Sequence, residues 1–168
     1  HMIGGRPTVR LAHLDTGYDP THRTKPRGLR EDLARNFVDL DRDGLPRHTA
    51  IDTKTAAIAN HGHGTATIAL LAGDPYGGAR GFEVVPIRVA NAVVLFRNSA
   101  IAQALDYVLS LAGTADRCDV LSMSMGGLAS AAWADAVNAL YEAGVVLVTA
   151  AGNNFGNLPV RSIVYPAR

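Results

Sequence analysis

An aspartate ahead of a Thr-Gly turn, two histidines in a glycine-rich run and an asparagine closing an Ala-Ala-Gly tract are the residues here best equipped for chemistry. They lie in Leu14-Asp15-Thr16-Gly17, His61-Gly62-His63-Gly64-Thr65 and Ala150-Ala151-Gly152-Asn153, with Ser122-Met123-Ser124-Met125-Gly126-Gly127 between the last two. Each alone has an ordinary structural reading: a capped turn, a packed or capping histidine, a strand-to-helix loop, a tight turn. Jointly they hold an orienting carboxylate, a candidate general base, a strand edge beside a glycine floor and a side-chain amide donor, most of what acyl transfer requires.

These clusters need a scaffold that brings them together, and the hydrophobic pattern supplies one. Thr8 to Leu14 reads as a strand that ends at Asp15-Thr16-Gly17. Residues 18–60 are rich in Arg, Asp, Thr, Pro and Gly and read as a long surface excursion, with a short element around Arg35-Asn36-Phe37-Val38. Gly64 to Ala72 is almost wholly apolar and closes on Gly73, which predicts a buried helix with a glycine stop. Val84 to Val89 predicts a strand. Ser99 offers an N-cap to a helix through about Ala112, striped by Ile101, Leu105, Val108 and Leu109. A strand at Asp119 to Met123, a helix from about Ser130 to Ala143 and a buried strand at Val145 to Val148 complete the series, with Cys118 a small core residue at a strand entrance.

Alternation of helices with near-continuous aliphatic strands predicts an α/β fold, a mostly parallel sheet flanked by helices on both faces. In such sheets sites form beyond the carboxyl ends of the strands, which is where the four clusters fall.

The motifs then resemble one family. Leu14-Asp15-Thr16-Gly17 is similar to the aspartate motif of the subtilases, and His63-Gly64-Thr65, within HGHGTATIALLAG, to their histidine motif. Asp119 to Gly127 resembles their substrate-binding strand, Gly144 to Asn153 their oxyanion-asparagine strand, and Tyr165-Pro166-Ala167 a turn the family places shortly afterwards. The resemblance implies a subtilisin-like three-layer fold and a serine endopeptidase working through an Asp-His-Ser triad. Asp15 would accept from His63 Nδ1, His63 would act as base, and Asn153 would donate to the oxyanion. It selects His63 over His61, because Gly-Thr follows the base in the family. Ser124, Met125 and Gly126 would pair with an extended peptide substrate as an added strand. Gly126 and Gly127, with Ala150, Ala151 and Gly152, would leave room for a substrate side chain, Met125 walling it.

The family's serine motif lies several tens of residues beyond the asparagine, and none of Ser99, Ser110, Ser122, Ser124, Ser130 and Ser162 has that context. Residues 1–168 are thus expected to be an incomplete subtilase catalytic domain, with 1–7 a tag scar or N-terminal arm and apolar surface left uncovered. The serine is expected on a second polypeptide, in a nicked enzyme. A truncated fragment, or a pseudo-protease that binds peptides without cutting them, is the alternative.

Asp39, Asp41 and Asp43, followed by Gly44, spell the start of a calcium loop. Ala50 stands at the twelfth position, so a solvated acidic turn is preferred; structural calcium stays a candidate, and no cofactor is expected for the chemistry. A net charge of +1 argues against nucleic acid, and no run is long enough to span a bilayer. One cysteine excludes an intrachain disulfide without fixing the compartment, and only the resemblance favours a secreted or periplasmic setting.

Overall fold

Side chains alternate across a strand with period two, and the first strand places its apolar and its chemical residues on opposite faces by that rule. In the computed structural model, which describes residues 8–53, 60–95, 99–152 and 163–167, strand β1 spans Arg10–Asp15 and is buried throughout. Ala12 and Leu14 belong to one hydrophobic cluster with Ile101, Leu105, Trp133 and Leu140. Leu11 joins a second with Ile68 and Ala72, and its face-mates His13 and Asp15 point the same way. The chemistry therefore lies on one side of the sheet.

Further elements are β2 (Arg35–Leu40), β3 (Pro46–Arg47), α1 (His63–Ala72), β4 (Glu83–Arg88), β5 (Val94–Leu95), α2 (Ser99–Leu111), β6 (Val120–Met123), β7 (Gly126–Gly127), α3 (Ala131–Glu142) and β8 (Val146–Thr149). Six strands form one sheet in the order β3-β2-β4-β1-β6-β8, and β5 pairs with β7 in a separate ribbon. β1 runs parallel to β4 and β6, so Asp15, Arg88 and Met123 reach the same end of the sheet. Helices α2 and α3 pack on each other and cover one face, while α1 covers part of the other. The expected α/β architecture, a mostly parallel sheet with helices on both faces, is present.

Local signals account for the helix limits. Gly73 ends α1 by donating its N–H to the Ala69 carbonyl, and Ser130 Oγ accepts from Trp133 N at 3.3 Å as the cap of α3. Three expectations need correction. The 18–60 excursion is more than surface: its short element around 35–38 is β2, which with β3 extends the main sheet, and Tyr18, Ala34 and Ala50 are buried. Helix α1 is not buried all round, for only Gly64, Ile68 and Ala72 are buried and Leu70 is 76% exposed. Nor is the last strand fully buried. β8 lies at the sheet edge, and its Val146 and Val148 are 58% and 54% exposed on the face shared with α1, beyond the reach of that helix. Cys118 is buried at the entrance to β6. Among the described residues no helix is long and apolar enough to cross a membrane.

Candidate active site

Asp15 closes β1 and His63 opens α1, so the end of a rigid strand and the first turn of a rigid helix set their separation. Close approach of that helix requires Gly64. A Cβ at this position would collide with the Gly17 carbonyl oxygen and sit 3.1 Å from Asp15 Oδ1. Gly64 N donates to Thr16 Oγ1 at 3.1 Å, and Thr65 Oγ1 accepts from Asp19 N at 3.0 Å, tying α1 to the chain that leaves β1.

The result is a short contact between His63 Nδ1 and Asp15 Oδ1, at 2.7 Å. Asp15 is fully buried, whereas the His63 side chain is 29% exposed. The same Oδ1 accepts from Thr16 N at 2.7 Å, and Oδ2 accepts from Thr67 Oγ1 at 3.0 Å. Burial is the largest influence on the Asp15 carboxyl and pushes its pKa up. The His63 hydrogen bond, the nearby His13 and the Thr16 N–H together outweigh burial and hold the carboxyl below its ordinary range. An ionised Asp15 must accept, so His63 carries its proton on Nδ1 and keeps the Nε2 lone pair for a substrate-side proton. That is the tautomer a general base needs.

Two imidazoles flank this carboxylate and shift in opposite directions. The hydrogen bond from His63 to Asp15 raises the His63 pKa against a smaller opposing effect of burial. Burial lowers that of His13, with Asp15 opposing and His63 reinforcing. An NMR titration is expected to find His63 titrating above the ordinary imidazole value of about 6.5 and His13 below it; the opposite order would refute the geometry. Because the folded-state pKa of His63 is raised, its contribution to stability is complete below about pH 6.5 and disappears as pH rises through the higher folded value. Over that same rise the imidazole becomes neutral and its Nε2 lone pair becomes free to accept a proton.

His61 stands elsewhere. Its Nδ1 lies 3.2 Å from Asp52 Oδ2, its side chain is 55% exposed, and Asp52 also accepts from Gly62 N at 3.0 Å. The structure thus places His63 on Asp15, with His61 at the rim.

The substrate-binding residues inferred from the sequence are arranged differently from expectation. Ser124 follows β6 at the carboxyl end of the sheet. Met125 does not wall an open pocket, because it is 3% exposed and belongs to the core cluster on the α2–α3 side. Gly126 and Gly127 form β7, paired in parallel with Val94 and Leu95, and Gly127 exchanges both backbone bonds with Tyr165, at 3.2 and 3.3 Å. Their backbone edges are occupied within this chain. Ala150, Ala151 and Gly152 follow β8, and Ala151 O accepts from Val164 N at 3.1 Å. The Val164 side chain fills the space between the two glycine tracts: a Cβ on Gly126 would run into Val164 Cγ2, and one on Gly152 would lie 3.1 Å from Val164 Cγ1. Asn153 lies outside the described residues.

The Asp39 and Asp41 carboxylates of the acidic run are engaged by protein groups. Asp39 Oδ2 pairs with Arg88 Nη1 at 2.7 Å, and Asp41 Oδ1 accepts from the Asp43 and Leu45 N–H groups at 3.0 and 2.8 Å, closing a turn on itself. Among the described residues no group of three or more His, Cys, Asp or Glu side chains gathers around a common point.

Sequence reasoning left two members of the site without a role, His13 and Thr67. Both carried a signal: His13 lies two residues before Asp15 on one strand face, and Thr67 four residues after His63 on one helix face.

The site is therefore a buried carboxylate bonded to a partly exposed imidazole at the carboxyl end of a mostly parallel α/β sheet. Comparison with known proteins supplies the class: a sequence profile of the Subtilase family matches residues 7–168, and the chain belongs to that family. It is 30% identical over 153 residues to Subtilisin-like protease 6 of Arthroderma benhamiae, covering 86% of this chain and 33% of that protein. It is 36% identical over 93 residues to a cuticle-degrading serine protease of Arthrobotrys oligospora, covering 55% and 22%. Among solved structures, sphericase superposes with a TM-score of 0.65 at 25% identity, over 95% of this chain and 50% of that one. A cold-adapted subtilisin-like serine proteinase gives 0.63 at 26%, over 86% and 46%. The chain spans 22–33% of these curated relatives' length and about half of the solved structures.

Proposed function

We propose that these residues form the aspartate-and-histidine part of a serine endopeptidase. The 2.7 Å Asp15–His63 contact at the carboxyl end of the sheet carries the reading. His63 Nε2 removes the proton of a serine hydroxyl from outside residues 1–168, the alkoxide adds to the substrate carbonyl, and His63 returns the proton to the leaving amine. Asp15 stabilises the imidazolium between the two steps. Asn153 donates to the oxyanion, and peptide substrate runs past Ser124, the glycine-side edge beyond it being held by β5 and Tyr165.

The exposed Val146 and Val148 support a further polypeptide segment, the one bearing the serine, packing on the α1 side of β8. Subtilisin-like names among the relatives support the chemistry. The test is covalent labelling of the full-length protein with a fluorophosphonate, read by intact mass. One adduct on a serine is expected, lost in His63→Ala. A folded wild-type protein that takes no label would sink the peptidase reading and leave a peptide-binding pseudo-protease.

A further inference from the structure

The site holds more polar side chains than a carboxylate and a base require. His13 is 3% exposed on the middle of β1, and its Nε2 lies 3.0 Å from Thr67 Oγ1, which lies 3.0 Å from Asp15 Oδ2. His13 itself is 3.8 Å from that oxygen, too far for a direct bond. A buried imidazole costs free energy unless it is hydrogen-bonded, and Thr67 meets its Nε2.

The direction of this chain follows from counting protons. The Thr67 hydroxyl has one, and four acceptors lie near: Asp15 Oδ2, His13 Nε2, and the His63 and Gly64 carbonyls, each 3.2 Å away. Helical threonines commonly bond back to such carbonyls, but an ionised carboxylate is the stronger acceptor. With the hydroxyl proton on Asp15, the ring nitrogen 3.0 Å away must donate, so His13 carries hydrogen on Nε2. The order is His13 Nε2–H to Thr67 Oγ1, Thr67 O–H to Asp15 Oδ2, and His63 Nδ1–H to Asp15 Oδ1.

We propose that Thr67 and His13 are positioning residues for the Asp15 carboxylate, which they hold against rotation so that Oδ1 stays on His63. Two residues of one strand face, 13 and 15, interlock with two of one helix face, 63 and 67. A carboxylate held at one oxygen only can swing about its Cβ–Cγ bond; held at both, it presents a fixed acceptor while His63 becomes charged. This rests on the reading of Asp15 and His63 as catalytic.

The test uses the full-length protein. Thr67→Val keeps the volume and removes the hydroxyl, Thr67→Ser restores it, and His13→Gln keeps an amide N–H where His13→Leu does not. Thr67→Val is expected to lower kcat about ten- to a hundredfold with KM unchanged, as loss of a charge-assisted hydrogen bond implies. Thr67→Ser should recover most of it, and His13→Gln should exceed His13→Leu. The His63 Nδ1–H proton resonance should broaden or move in Thr67→Val and return in Thr67→Ser, a readout that loss of packing alone would not restore. Wild-type kcat and an unmoved resonance in Thr67→Val, or a Thr67→Ser protein as slow as Thr67→Val, overturns the proposal while leaving the peptidase reading intact. Wild-type turnover in His63→Ala overturns both.

Discussion

Asp15→Asn in the full-length protein is expected to reduce kcat by about 10⁴-fold with little change in KM, the loss found when the same role is removed from serine proteases of unrelated fold. The structure explains the size of the effect. Asp15 is fully buried and uses Oδ1 for two N–H donors, Thr16 and His63, and Oδ2 for the Thr67 hydroxyl. An amide has one acceptor oxygen and two N–H groups, so it cannot satisfy all three donors. If its oxygen stays on His63, its NH₂ meets Thr67 and the imidazolium loses its counter-charge in a buried site. If it turns over, the NH₂ donates to His63 Nδ1 and pins the imidazole in the tautomer with hydrogen on Nε2, where no base remains. The pKa of His63 should fall in either case, because its largest upward influence is the hydrogen bond to this carboxylate. Acid stability should change too. A carboxyl held below its ordinary pKa of 3.8 stabilises the fold above that pH and loses the contribution as pH falls through the lower folded value, so Asp15→Asn should flatten this part of the acid limb. A loss of kcat under tenfold would remove Asp15 from the mechanism.

What could be read in advance from the sequence was whatever local chemistry decides. Aliphatic runs closed by glycine or opened by serine fixed the places of β1, α1, β4, α3 and β8, because a buried strand and a capped helix end leave their marks in adjacent residues. The pairing of His63 with Asp15 was legible only through the family motif, since 48 positions separate the two. Met125 was misplaced although the signal was present: Leu121, Met123 and Met125 alternate on one face and all are buried. The short element anticipated at 35–38 is β2, but its length and its place with β3 in the main sheet were not legible, for Arg35 to Leu40 mixes charge with apolar residues, and Asn36 Oδ1 accepts from Val38 N and Asp39 N to shape the strand from within. The exposure of β8 depends on which element covers it, and no periodicity in Val145 to Val148 encodes that. Val164 reaches the glycine tracts only through tertiary packing.

The Asp39 that suggested calcium leads to the second large effect, because its partner is an arginine with no solvent exposure. Arg88 ends β4 in register with Asp15, and its guanidinium donates to Asp39 Oδ2 and Asn91 Oδ1, both at 2.7 Å, to Thr53 Oγ1 at 3.2 Å and to Ile51 O at 3.3 Å. Among the described residues nothing accepts from its Nε–H, so the group has no spare acceptor in reserve. Asp39→Ala removes the carboxylate of this set and leaves a buried cation facing neutral oxygens. Breaking a buried pair from one side costs about 3–5 kcal/mol, and because Asp39 is 22% exposed and water can partly replace it, the lower end applies. For a folding unit of about 150–250 residues that corresponds to a fall in Tm of roughly 6–12 °C. Asp39→Asn, which keeps an acceptor, should lose less, and a chelator should leave the wild-type transition unmoved. A fall of under about 2 °C in Asp39→Ala would refute the stabilising role assigned to the Asp39–Arg88 pair. Activity should drop as well, because Arg88 anchors Ile51 and Thr53 on either side of Asp52. That residue's backbone N–H bonds the Tyr18 carbonyl at 3.0 Å, and its carboxylate receives the Gly62 N–H one residue before His63. The clamp under the 39–53 segment and the placement of the base are one structure, so loosening the first should widen the distribution of the second.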